Sequence, residues 1–375
     1  MSHAAAEPFA PRPVLQNVQA LRGVAVVMVM FGHILAPADF PWIEGAVKFL
    51  HYWAYAGADL FFVISGFIIS GVATRRTETG TASMRVNHAL GFLAKRLLRI
   101  YPVYWVVLAA SALASLWVTI EPGMPHVPLW QNLLLLTRFN WLVPPAWTLF
   151  FEVWFYAVVF VLLLAWPRRF YGAMLVLMAL QLLMVLTIEK PDVSMFSSAL
   201  VLEFGLGCGV AFLIAKGRRD YAGWFLCAAL AYFLLGAGLT SQHGLLDSGL
   251  RTLSFGLGFA FLLYACVASE LAGGPVAWRL IRIVGDASFS LYLWHKCLFV
   301  VLASLAGGAM INANLPRWLV VLAIVTLTTV FGLVFYRLAE RPWVAAANRL
   351  VNARFYRTRD DSESGAGLKR SAGTG

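Results

Sequence analysis

Residues 146–166 read AWTLFFEVWFYAVVFVLLLAW, a run carrying one formally charged side chain, Glu152. A stretch of about 20 apolar residues spans a bilayer as a helix. The same window finds nine further candidates, near 20–37, 56–73, 99–119, 170–188, 197–215, 222–240, 250–268, 286–306 and 317–338. The spans at 56–73 and 286–306 are the interrupted ones, because Asp59, His295 and Lys296 fall inside them. The first apolar run, 23–35, follows Arg22 and has the look of a leader's apolar region. Ala36-Pro37-Ala38 is a poor cleavage site, so we expect a retained helix.

Composition agrees. Of 375 residues, 61% are hydrophobic and 13% charged, with a mean hydropathy of +0.76. Soluble domains carry nearer a quarter charged residues, and disordered, coiled-coil or disulfide-stapled chains look different again. The expected fold is all-α: a polytopic membrane protein of about ten transmembrane helices. We expect a cytoplasmic N-terminal segment at 1–18, a ten-helix membrane domain at 19–342 and a basic cytoplasmic tail at 343–375. The tail's stretch 357–375, rich in Gly, Ser and charge, is expected to be disordered.

The net charge of +11 invites a nucleic-acid reading, and placement argues against one. With the N-terminus inside, 23 of the 29 Lys and Arg fall in cytoplasmic pieces and 5 outside, with Lys296 within a span. That bias places both termini in the cytoplasm. Cys208, Cys227, Cys266 and Cys297 all lie in apolar stretches without CxxC spacing, which suits packed thiols better than a disulfide frame or a metal site.

Ionisable residues inside spans are expensive and are functional candidates by default. Here they are Arg22, His33, Asp59, Glu152, Glu203, His295 and Lys296. Arg22 and His33 stand eleven positions apart, which brings them within roughly 20° of one helical face and about 16 Å apart along the axis. Two readings stay open. They could form an anion anchor below and a proton acceptor above, facing one cavity. Alternatively Arg22 snorkels to the interface while His33 satisfies a core hydrogen bond. Glu152 and Tyr156 share a face at i, i+4 and follow Trp147-Thr148. A buried carboxylate beside a phenol suits the base-and-orienter logic of acyl transfer, and equally a polar clasp between helices. Arg96 and Arg99, at i, i+3 before Tyr101-Pro102, suit phosphate recognition, though lipid head groups or plain topology would use the same residues. The glycines of Gly205-x-Gly207-x-Gly209 lie within an apolar span with no strand before them, so close helix packing explains them better than a nucleotide loop. No GxSxG, HExxH or Walker pattern is present.

Taken together, six co-linear segments resemble the acyltransferase-3 family of integral membrane acyltransferases. They are Leu21-Arg22-Gly23 with His33; the stretch 57–67, GADLFFVISGF; Lys95 to Pro102; Trp147-Thr148-Leu149 with Glu152 and Tyr156; the stretch 285–295, GDASFSLYLWH; and Tyr336 to Pro342. Phe150-Phe151 before Glu152 makes the chain more similar to exopolysaccharide-modifying members than to those acting on lipopolysaccharide or peptidoglycan. The resemblance implies transfer of an acyl group, usually acetyl, from cytoplasmic acyl-CoA (acetyl-CoA) to a saccharide hydroxyl, with no metal. It implies His33 as general base or transient acyl carrier, and Arg22, Arg96 and Arg99 as the donor-phosphate site. Glu152 and Tyr156 are expected to orient His33 or the acceptor. The implied setting is a bacterial inner membrane, with membrane lipid, a saccharide or lipid-linked oligosaccharide acceptor, and polysaccharide biosynthesis or export proteins as partners. The competing class is a transporter or flippase for lipid-linked saccharides, which would use the same buried polar groups as a pathway. Thermal stabilisation by CoA separates the two, because a flippase has no site for it.

Overall fold

In a computed structural model the chain is described at residues 15–34, 44–74, 82–188, 198–244, 246–313 and 316–356, and all regular structure among these residues is helical. Lipid offers no hydrogen bonds, so a span must satisfy its own backbone, and helices do so within one segment. In chain order the helices are α1 Gln16–Ile34, α2 Glu44–Ala54, α3 Gly57–Ala73, α4 Ala82–Ala114, α5 Leu129–Leu133, α6 Trp147–Ala165, α7 Phe170–Thr187 and α8 Val201–Ala215. They continue with α9 Ala222–His243, α10 Ser248–Arg251, α11 Leu257–Leu271, α12 Arg279–Asp286, α13 Ser288–Ala313, α14 Arg317–Phe335 and α15 Arg341–Phe355.

Among the described residues eight helical stretches are long and apolar enough to cross a membrane, and α3 and α8 are shorter apolar helices. Together they account for the ten expected stretches, and the chain is an all-α, polytopic membrane protein. The expected disordered stretch 357–375, and most of the expected N-terminal segment 1–18, lie outside the described residues.

The short helix α3 lies between the two buried apolar clusters. Phe62 and Ile69 pack into the cluster with α4, α6 and α13, while Leu60, Val63, Ile64 and Phe67 pack into that with α1 and α11. Its contact with α8 is nearly backbone to backbone. A Cβ at Gly66 would meet the carbonyl of Phe204, and one at Gly207 the carbonyl of Val63. Gly207 is therefore a packing glycine, as its apolar surroundings suggested.

Two edges differ from the sequence reading. The loop expected up to residue 98 is helical from Ala82, so α4 extends beyond its apolar span. The span expected to end near 338 passes through a π-helical turn, Tyr336–Glu340, into α15. The two extensions stabilise each other: Ala89, Phe92, Ala347 and Val351 are buried, and the hydroxyl of Tyr356 donates to the His88 carbonyl at 3.3 Å. Pro102 inside α4 has no N–H for the carbonyl of Leu98, four residues back. The indole N–H of Trp343 on α15 donates to that carbonyl instead, at 2.8 Å.

Candidate active site

Five helices bring their polar side chains to one cavity of about 90 Å³. Arg22 comes from α1, Ser65 from α3, Arg96 and Arg99 from α4, Thr148, Glu152 and Tyr156 from α6, and Ser288 and Tyr292 from α13. The local reasons are simple. Arg96 and Arg99 sit one turn apart on α4, and Glu152 and Tyr156 one turn apart on α6, so each pair points one way. Tyr156 donates to Glu152 Oε1 at 2.5 Å, and Ser65 donates to the same oxygen at 3.4 Å. Arg22 donates through Nη1 to Gln19 Oε1 at 3.1 Å.

Three guanidinium groups and one carboxylate line this space among the described residues, so the lining is net positive. The rings of Phe61, Phe62, Phe289 and Tyr292, with aliphatic side chains from α3, α4 and α6, make the apolar part of the wall. Tyr292 is fixed by its hydroxyl, which lies 2.8 Å from both the Pro145 carbonyl and Thr148 Oγ1. Ser288 also lines the cavity, and its hydroxyl is buried with no partner among the described residues. Such a lining suits an anionic group such as a phosphate.

His33 is not among the residues lining that cavity. It stands eleven positions along the helix from Arg22 and sits instead among aromatic rings: His295 at a centroid distance of 4.9 Å and Tyr55 at 5.7 Å. Its Nδ1 lies 2.8 Å from the carbonyl of Val29. A carbonyl only accepts, so Nδ1 carries a hydrogen, and in the neutral ring Nε2 holds the lone pair. His33 is held by a backbone carbonyl, while Glu152 and Tyr156 line the cavity with the arginines.

Sequence reasoning gave no role to Tyr292, Ser65 or Tyr55. Tyr292 lines the cavity, and its ring centroid is 6.0 Å from that of His295. The signal was present, because Tyr292 and His295 stand at i, i+3 within the same quoted segment, but their partners on other helices were not legible.

Asp59 and Glu203 take no part in the cavity. Arg251 Nη2 donates to Asp59 Oδ1 at 2.8 Å and to the Tyr55 carbonyl at 3.2 Å, while Thr252 donates to Glu203 Oε1 at 2.9 Å. These groups clasp α3, α8 and the turn before α11. Lys296 pairs with Glu121 of the loop after α4 at 2.8 Å.

This all-α, polytopic membrane protein has a known class. The acyltransferase-3 family, described as an acyltransferase domain, matches residues 15–337, and the chain belongs to it. It is a multi-pass membrane acyltransferase. The chain is also similar to the exopolysaccharide production protein ExoZ of Rhizobium meliloti strain 1021, with 31% identity over 308 residues, covering 76% of this chain and 88% of that protein. No solved structure matches it.

Proposed function

We propose that this protein transfers an acyl group, most simply acetyl, from cytoplasmic acyl-CoA to a hydroxyl of an exported exopolysaccharide, in a bacterial inner membrane. The observation that carries the reading is the cavity that gathers Arg22, Arg96 and Arg99 from two helices around a single lining carboxylate. Guanidinium groups recognise phosphate through paired N–H donors, and acyl-CoA is an acyl donor that carries phosphates. The positive-inside bias puts the arginine end of α1 at the cytoplasmic face, where acyl-CoA is available, and both chain ends on that side. Glu152, held by Tyr156 and Ser65, moderates the cavity's charge and leaves a net positive surface for the donor. His33, with its Nε2 lone pair, is the base that takes the acceptor's hydroxyl proton. The likeness to an exopolysaccharide production protein supports the acceptor class.

The test is an acyl-group analysis of surface polysaccharide from the source strain, with this gene deleted and with it restored. One O-acyl signal disappears on deletion and returns with the wild-type gene, while polymer yield persists. Complete loss of polymer would favour the export reading instead.

The donor site makes a separate prediction. Arg22→Ala removes one charge-assisted contact, each of which is worth about 1.5–3 kcal/mol. The apparent KM for acetyl-CoA is therefore expected to rise by roughly 10- to 100-fold, with kcat changed far less. Kinetics on membrane vesicles with labelled acetyl-CoA measure this, and an unchanged KM contradicts the assignment.

A further inference from the structure

His33 on α1 and His295 on α13 meet with ring centroids 4.9 Å apart and planes at 66°. Both rings are pinned alike. Nδ1 of His33 lies 2.8 Å from the Val29 carbonyl, and Nδ1 of His295 lies 2.7 Å from the Tyr292 carbonyl. Each neutral ring therefore has its hydrogen on Nδ1 and its lone pair on Nε2. His295 is completely buried, and its Nε2 has no donor among the described residues. A buried acceptor left without a donor needs a reason, and an apolar side chain would pack against Phe299 without one. The reason is supplied if a proton arrives there in the working cycle.

We infer that His295 is the proton partner of His33, a positioning residue that acts through it; this rests on the reading of His33 as the base. The acceptor oxygen forms its bond to the thioester carbonyl carbon, its proton passes to His33 Nε2, and the carbon–sulfur bond to CoA breaks. The imidazolium so formed is stabilised beside the neutral His295 ring, whose Nε2 has no other donor among the described residues, until the leaving thiolate takes the proton. Alcohol and thioester thus become ester and thiol, with no proton left over. The Tyr292 carbonyl that fixes His295 belongs to a residue of the donor cavity's own wall, which ties the pair to the donor site. The other titratable and charged groups around the pair are His51 and Tyr55 from the α2 side, Glu121 from the loop after α4, and Lys296 on α13 itself.

The test uses the full-length protein in nanodiscs, with labelled acetyl-CoA and exopolysaccharide from the deletion strain, and compares His295→Gln and His295→Phe with wild type. We expect kcat to fall by about 30-fold or more in both variants, the KM for acetyl-CoA to stay within about threefold, and melting temperatures to hold. A kcat within about threefold of wild type, or activity lost only in step with melting temperature, overturns the inference. A second measurement needs no substrate. Imidazole ¹⁵N spectra follow the titration of His33, which two interacting rings share as a coupled pair. A His33 titration that changes on removing His295 supports the partnership, and an identical curve overturns it. Should wild type fail to label the polymer, the donor and acceptor assignment fails, and the spectra still decide on His295.

Discussion

Replacing His33 with alanine is expected to lower acyl transfer by about 10²–10⁴ while leaving the bundle folded. The rate loss follows from the only polar feature that His33 presents, an Nε2 lone pair whose tautomer is set by the Val29 carbonyl. The fold survives for a geometric reason. The Val29 carbonyl is also the i−4 helical acceptor for the backbone N–H of residue 33, so deleting the imidazole leaves it bonded. His33 is only partly buried, and its ring contacts are with His295 and Tyr55, neither of which depends on it for a hydrogen bond. The measurement is label incorporation from acetyl-CoA alongside melting temperature for wild type and His33→Ala. Wild-type turnover by a stably folded variant would remove His33 from the chemistry. The same labelled donor, given to wild type without acceptor, separates base from acyl carrier: a base leaves the protein unlabelled, whereas a carrier traps label on the ring.

What the chain discloses before folding is uneven, and the reason is physical. The spans are legible because length and lack of charge are local properties that the bilayer demands of each segment alone. The ends are less so. Residues 82–98 look like a basic loop, yet they are helical and pack against α15, a partner more than 240 residues away. The three arginines and the Glu152–Tyr156 pair stand out by spacing and by family resemblance, and all five line one cavity. The distance between Arg22 and His33 was also legible, about 16 Å of helix. That His33 lies beyond the cavity wall and beside His295 was not, because it depends on how α13 packs against α1. The in-span charge of Asp59 and Glu203 was equally visible, but its purpose needed Arg251, which by sequence reads as an ordinary outer-loop cation.

That cation carries the largest stability effect we expect. Asp59 is wholly inaccessible, and Arg251 donates to it through both Nη2 and Nε, at 2.8 and 3.3 Å. Glu203, also fully buried, lies against the same turn through Thr252. A buried carboxylate without water needs a compensating charge, and removing one partner of a buried pair typically costs about 3–5 kcal/mol. Arg251→Ala is therefore expected to lower the melting temperature strongly and to reduce the yield of folded protein in detergent. Activity should fall with it, since Arg251 also holds the Tyr55 carbonyl and the Tyr55 ring packs against His33. The decisive comparison is the double variant Asp59→Asn with Arg251→Gln, which removes the unpaired charge while keeping polar groups of similar size. If the cluster is a clasp, the double variant regains much of the stability lost in Arg251→Ala, and transfer returns with it. If Asp59 instead took part in the chemistry, stability would return and transfer would not. An Arg251→Ala protein that melts like wild type would show that these buried charges do not hold the bundle together.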